Sequence, residues 1–286
     1  MTKRFTGLTF SCVLAAWSLW SVSAQTAPPF AFPLQPDSVR FAIIGDSGTG
    51  DAAQSDVAKQ MVLQRAVLPF NFVLMLGDNI YGGHSAADLK KKFADPYQRL
   101  MTDQVKFYAS LGNHDNQDER FYEPFNMGGK RYYSFRKGNA EFFALDSNYM
   151  DPAQLDWIRQ QLSGSTARWK ICYFHHPFYS AARYHGPDQD LRQRLEPLLQ
   201  QYSVDVVFSG HEHVYERIKP QHGIYYFVLG NSGELRFHDL KPSPETEKGF
   251  DTDRCFAMFE IAGDRLYFEA ISRQGVIVDS AVIEKH

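Results

Sequence analysis

The chain is poor in cysteine, carries no large excess of charge of either sign and has no apolar run long enough for a comfortable membrane span. Its 286 residues include three cysteines, too few for a disulfide scaffold. Lys and Arg number 30 against 33 Asp and Glu, giving a formal net charge of −3 and a pI near 6.4. A dedicated nucleic-acid or anionic-membrane binder would show a basic stripe, so the balance argues against that class. Internal repeats and low-complexity segments are lacking too. What is present is 44% hydrophobic and 22% charged residues, an ordinary globular mixture that disorder and coiled coils do not share. Fifteen Tyr and 23 Phe point to a large core with several strands.

The N-terminus reads as an export leader. Lys3 and Arg4 precede an apolar stretch over residues 8–20, and Val22-Ser23-Ala24 places small residues where a signal peptidase reads. The stretch falls short of the roughly 20 apolar residues of a spanning helix. Cleavage is expected after Ala24, leaving 262 of the 286 residues in a secreted or periplasmic protein with no membrane attachment. Residues 25–38 form a Pro-rich lead-in (Pro28, Pro29, Pro33, Pro36), and residues 39–286 read as a single domain. Cys12 leaves with the leader. Cys172 and Cys255 each sit in a run that reads as buried strand, where a cysteine acts as a small hydrophobe. Whether they pair is left open, because sequence does not show their separation.

Short runs rich in β-branched and aromatic residues predict strands over 39–44, 72–76, 105–111, 171–174 and 204–208. Helical spacing predicts helices over 52–67, 152–162 and 188–202, the second opened by an Asp151 N-cap with Pro152 behind it. Residues 131–147 alternate around Lys137-Gly138-Asn139 and read as a hairpin. More strands follow over 225–284. Strands alternating with helices give an α/β class, with two sheets sandwiched between helices.

The ends of those strands carry chemistry. In chain order they read Gly45-Asp46-Ser47-Gly48, Gly77-Asp78-Asn79-Ile80-Tyr81, Gly112-Asn113-His114-Asp115, Phe174-His175-His176-Pro177 and Gly210-His211-Glu212-His213. One aspartate after a strand means little. Five endings in Asp, Asn or His, at the sheet edge where ligands gather, form a set of oxygen and nitrogen donors suited to Fe, Mn or Zn. Glycine before each donor is expected to let the chain turn sharply toward a shared centre.

The set GD-x-G, GD-x-x-Y, GN-H-D, H-x-P and GH-x-H resembles the calcineurin-like metallophosphoesterases, and the tyrosine narrows the resemblance to purple acid phosphatases; with only the short lead-in before the first motif strand, the chain resembles their small, single-domain, tartrate-resistant form. The likeness spans about residues 40–233. It implies a four-layer αββα sandwich of two mixed sheets. It also implies two metal ions bridged by Asp78, with Asp46, Tyr81 and His213 completing a first site that holds Fe(III). Asn113, His175 and His211 would complete a second site for divalent Fe, Zn or Mn. The implied activity is acid phosphatase action on small-molecule phosphate monoesters through a metal-bound hydroxide. Simple physics agrees: one carboxylate has two oxygens to share, and two cations about 3.5–4 Å apart form a clamp for in-line displacement. Tyr81 takes the place of the histidine donor that Gly48 lacks.

His114, beside Asn113, is the candidate to protonate the leaving oxygen, with Asp115 orienting its ring. His185, in His185-Gly186-Pro187, would contact the phosphate or share the acid role. His176 competes with His175 as ligand, but the family pattern favours the position two before Pro177. His84, His222 and His238, together with Glu212 and Glu216, read as surface or strand-end groups, and Trp157 as helix packing. Phe178, Tyr179 and Tyr184 are open between pocket lining and core. A phosphodiesterase or nucleotide-directed hydrolase on the same metals competes with the monoesterase, and the loops over 116–130, 183–190 and 235–252 would decide between them. A non-enzymatic iron- or phosphate-binding protein is the remaining class. Oligomeric state is not written in these features.

Overall fold

The computed structural model describes residues 1–2 and 30–285. The leader cleavage site and the first residues of the lead-in lie outside the described residues. Residues 31–286 form one compact unit.

Strands β1 (Val39–Ile44), β2 (Phe72–Leu76) and β3 (Lys106–Ser110) pair in parallel. The chain then crosses to a second sheet made of β4 (Tyr133–Lys137), β5 (Ala140–Ala144), β6 (Trp169–Tyr173), β7 (Val206–Ser209), β8 (Tyr215–Gln221), β9 (Ile224–Leu229) and β10 (Thr246–Phe250). Their spatial order is β10-β8-β9-β7-β6-β5-β4. Finally β11 (Cys255–Ala262), β12 (Arg265–Ser272) and β13 (Ile277–Glu284) return to complete the first sheet, ordered β13-β12-β11-β1-β2-β3. Both sheets mix parallel and antiparallel pairs.

Phenylalanine holds the sheets together. Phe41, Phe72, Phe259 and Phe268 of the first sheet meet Phe142, Phe208 and Phe227 of the second. The rings meet edge to face, with centroids 5.3 Å apart for Phe41–Phe142, 4.9 Å for Phe208–Phe259 and 5.1 Å for Phe227–Phe268. Such pairs add about 0.5–1.5 kcal/mol each beyond area burial. The outer faces are covered by helices. Helix α1 (Ala52–Gln64) lies on the first sheet, capped by Asp51, which accepts from the Gln54 N–H at 2.9 Å. Between β2 and β3, α2 (Ala86–Leu89), a π turn (Lys90–Ala94) and α3 (Asp95–Thr102) form one continuous helical stretch. On the second sheet lie α4 (Pro152–Gly164) and α5 (Gln189–Gln201), whose Ile158, Leu162, Leu191, Leu195 and Leu199 share a core with Phe143, Cys172 and Val207. This is the expected αββα sandwich.

Cys172 and Cys255 are both buried and unpaired, one in each sheet. The lead-in is tied down from Ala31 onward: the Leu34 and Gln35 peptide N–H groups each donate to the buried Glu260 carboxylate at 3.0 Å. Among the described residues no helix is long and apolar enough to cross a membrane.

Candidate metal centre

Because β1, β2 and β3 are parallel in one sheet and β6 and β7 in the other, the C-terminal ends of all five strands open onto one edge of the sandwich. The loops that follow them bring all seven expected ligands together. In the first group, Tyr81 Oη lies 3.1 Å from Asp46 Oδ1 and 3.1 Å from His213 Nε2, while His213 Nε2 is 3.4 Å from Asp46 Oδ1. Ligand atoms of Asp46, Asp78 and His213 all lie within 4.8 Å of one another. In the second group, His175 Nε2 lies 3.0 Å from Asn113 Oδ1, 3.1 Å from His211 Nδ1 and 3.4 Å from Asp78 Oδ1. Asp78 therefore touches both groups.

The backbone is bent to achieve this. Asp46, Asp78 and His211 have φ of 52°, 50° and 70°, the left-handed region that costs non-glycine residues about 1–3 kcal/mol each. Before Asp78 the glycine turns as expected, Gly77 having φ of 89°, but at Asp46 and His211 the donor residue itself, and not the glycine before it, takes the left-handed turn. Gly112 and Gly210 serve close approach instead: a Cβ on them would sit 2.2 Å from Asp78 Oδ1 and 2.4 Å from Asp46 Oδ2. Peptide N–H groups then aim the carboxylates. His114 N donates to Asp78 Oδ1 and His211 N to Asp46 Oδ2, both at 2.9 Å.

The electrostatics suit cations. Asp46 and Asp78 are almost fully buried, at 0% and 1% exposure. Burial opposes ionisation of Asp78, yet His175 and the His114 N–H outweigh it and hold the carboxyl well below its ordinary range. Burial likewise disfavours a charged His175, but Asp78 and Asp46 raise it to about 9. His211 is pushed down to about 2 by burial and by its histidine neighbours, so its nitrogen is free to coordinate. Burial, with Asp46 and Asp78 beside it, drives the Tyr81 phenol far up; it would ionise only against a strongly charged cation. Two buried carboxylates, a phenol, an amide oxygen and three imidazoles converging without sulfur fit a pair of hard-to-borderline metal ions.

The groups around the donors divide. His114 is exposed, its ring 4.9 Å from that of Tyr81. His185 stacks on His211 with centroids 4.3 Å apart, so it stands at the same mouth. Asp115, expected to orient the His114 ring, accepts instead from Gly112 N and Asn79 Nδ2 at 2.8 Å and from Ile80 N at 2.9 Å. It braces the loops after β2 and β3 against each other. His176 stands closer than its second-choice rank suggested. Its ring is 4.5 Å from His211 and its Nδ1 is 2.8 Å from Ser147 Oγ; the His175-His176 dipeptide was the signal for it. A cavity of about 390 Å³ adjoins this side, lined by Asn113, Asp115, Ser147, Tyr149, His176 and Asp188.

Other expectations change. Glu212 and Glu216, read as strand-end or surface groups, are both fully buried. Glu216 is consumed by Ala181 N, Ser180 Oγ and Thr246 Oγ1, which pin the loop before His185. His84 is half-buried against Glu119, 2.7 Å away. Phe178 and Tyr179 belong to the core, while Tyr184 is exposed beside His185. Trp157 packs on Tyr132 with ring centroids 5.0 Å apart.

A two-sheet sandwich with paired O/N donor sets sharing one aspartate defines a two-metal phosphoesterase centre. The calcineurin-like phosphoesterase family model matches residues 39–215, and the chain belongs to that family. Among curated relatives, it is similar to mouse (Mus musculus) tartrate-resistant acid phosphatase type 5, with 25% identity over 74% of this chain and 78% of the relative. Purple acid phosphatase 17 of Arabidopsis thaliana shows 27% identity over 74% of each. Among solved structures, the fold matches the yellow lupin purple acid phosphatase PPD1 at TM-score 0.73 and 20% identity, covering 89% of this chain and 55% of that one. It also matches GAP50, described as the anchor in the inner membrane complex of Plasmodium, at TM-score 0.77 and 20% identity, covering 87% and 89%.

Proposed function

We propose that this chain is an exported acid phosphatase that hydrolyses phosphate monoesters at a binuclear centre. Asp46, Tyr81 and His213 would hold Fe(III), Asn113, His175 and His211 a divalent ion, and Asp78 would bridge them. The observation that carries the reading is the convergence of both donor groups on Asp78. When bound, two such ions lower the pKa of water and offset phosphate charge. Fold alone would not decide the matter, since a described anchor shares it; the donor set does.

The chain's own groups do the rest. Asp78 and Asp46 are held in place by peptide N–H groups, so their geometry precedes binding. His114 sits exposed at the mouth, where a leaving oxygen would emerge, and is the proposed proton donor. His185 faces the phosphate from the His211 side. The cavity beside Asn113 offers polar room for the leaving group. The leader over residues 1–24 would deliver the protein to a periplasm or the medium, and N-terminal sequencing of exported protein should begin at Gln25.

The deciding experiment compares p-nitrophenyl phosphate with bis(p-nitrophenyl) phosphate on metal-restored protein. Faster turnover of the monoester, abolished by chelation, is expected. Preference for the bis ester would make the chain a phosphodiesterase, and no turnover of either with both metals present would leave a binding protein. His114→Ala should slow alkyl phosphates more than p-nitrophenyl phosphate; equal losses would remove His114 from the acid role.

A further inference from the structure

We propose that Glu212 is a positioning residue for His185, holding the Nδ1 side of the imidazole so that Nε2 faces the substrate phosphate. The inference rests on the phosphatase reading, and it starts from an anomaly in the burial of charge. Glu212 lies between the donors His211 and His213 and is fully buried, yet neither carboxylate oxygen makes a hydrogen bond of normal geometry. Buried polar groups are nearly always satisfied, and an exception calls for a partner or a role.

The nearest side chain of opposite character is His185, with Nδ1 3.8 Å from Glu212 Oε1. The Gly186 peptide N–H also acts on the carboxylate, and Asp239, Arg236 and His213 act from further away. His185 is already fixed in plane. Its ring lies nearly parallel to His211, 19° off at 4.3 Å. Tyr184 closes in edge to face at 4.5 Å, under the Arg236 guanidinium at 3.4 Å from the tyrosine ring. Stacking sets the plane of an imidazole but not which nitrogen points where, because a half-turn about χ2 exchanges the two edges. A carboxylate on one edge makes that choice, as it does for metal-bound and catalytic histidines. Catalytic hydrogen bonds are commonly long before substrate arrives, so 3.8 Å leaves a short closing step. The loop has the rigidity for it: a Cβ on Gly230 would fall 2.2 Å from the Glu212 carbonyl oxygen, leaving the Glu212 backbone no room to retreat.

The test is a double-mutant cycle on metal-loaded enzyme, with metal content measured for every variant. Glu212→Leu should lower kcat for an alkyl phosphate by about 10–100-fold, the usual cost of removing an orienting partner, and by less than about threefold when His185 is already Ala. Glu212→Gln keeps an acceptor oxygen and should recover part of the loss. Losses that are equal with and without His185, at full metal content, would overturn the proposal. Crystals grown with inorganic phosphate give a readout independent of turnover. The wild type should place His185 Nδ1 within hydrogen-bond distance of Glu212 and Nε2 toward phosphate, and Glu212→Leu should release the ring. An unmoved ring in that variant would overturn the idea as well. Wild-type enzyme that turns over no phosphate ester would sink the phosphatase reading, while the crystals would still decide the orientation.

Discussion

Each donor at the centre is shaped by what its neighbours omit. Gly112 leaves 2.2 Å between an imagined Cβ and Asp78 Oδ1, so Gly112→Ala must displace the shared carboxylate. Elemental analysis should find both metals lost or weakened, whereas Gly164→Ala at the end of α4, where nothing lies within 4 Å, should leave metal content unchanged. Retention of two metals by Gly112→Ala would show that Asp78 is not the bridge. Tyr81 leads to a spectroscopic prediction. Burial and two aspartates oppose its ionisation, so a phenolate there requires the iron, and Tyr81→Phe should abolish the visible band of the iron-loaded protein. A band that survives would take Tyr81 off the metal. As a proposed ligand, His175 would set the pH dependence of metal uptake. In the metal-free protein Asp78 and Asp46 lift it to about 9 against the effect of burial, and coordination must expel that proton. Affinity for the second-site ion should therefore rise with pH, by up to about tenfold per unit, and level off near 9; calorimetry at several pH values would show it.

At the scale of elements, β1 and β2 are legible to the residue, because each is a short apolar run of five or six residues that ends at a Gly-Asp turn, too short for a helix of ordinary length. The hairpin over 131–147 appears as β4 and β5 around Lys137-Gly138-Asn139, the Asp151 cap begins α4 as expected, and Asp188 caps α5. The helical stretch from α2 through α3 is not legible in the sequence. Three successive lysines and Pro96 obscure a helical period, and the chain accommodates the proline with the π turn. Pro96 has no N–H to give the carbonyl four residues before it, and that Lys92 oxygen accepts from Gln54 Nε2 at 2.6 Å instead. Neither partner is evident in sequence, since the contact joins residues 38 positions apart. The same gap explains Glu212 and Glu216: charge predicts exposure, and only the closed fold shows what buries them. The π turn also directs Lys92 inward, where Nζ donates to Tyr81 O at 2.5 Å and Gly83 O at 3.2 Å and pairs with Asp88 at 2.8 Å. Lys92→Met should leave those carbonyls unpaired and lower stability by roughly 1–3 kcal/mol, measurable in urea. A shifted visible band would accompany it if this helix anchors the Tyr81 loop.

Over the whole molecule, the proposed metal donors come from both sheets: Asp46, Asp78, Tyr81 and Asn113 follow strands of the first, His175, His211 and His213 strands of the second. Phenylalanine packing joins the sheets through their middles, and at the functional edge the donors are the junction. There the fold concentrates what it would otherwise avoid: three left-handed residues and two nearly fully buried aspartates. Residues of both sheets meet at this edge, so ions bound there should fasten the two sheets together as well as serve catalysis. A ligand present at about a thousand times its dissociation constant stabilises the native state by about 4 kcal/mol, and a domain of this size gains about 2–4 °C per kcal/mol. Chelation should accordingly lower the melting temperature by roughly 8–16 °C, with re-addition of metal restoring it. Hydrogen exchange should rise most in the five loops after β1, β2, β3, β6 and β7, while the phenylalanine-packed strand centres stay protected. An unchanged melting temperature after complete metal removal would mean that the edge is held by its peptide hydrogen bonds alone and that the centre serves chemistry without supporting the fold.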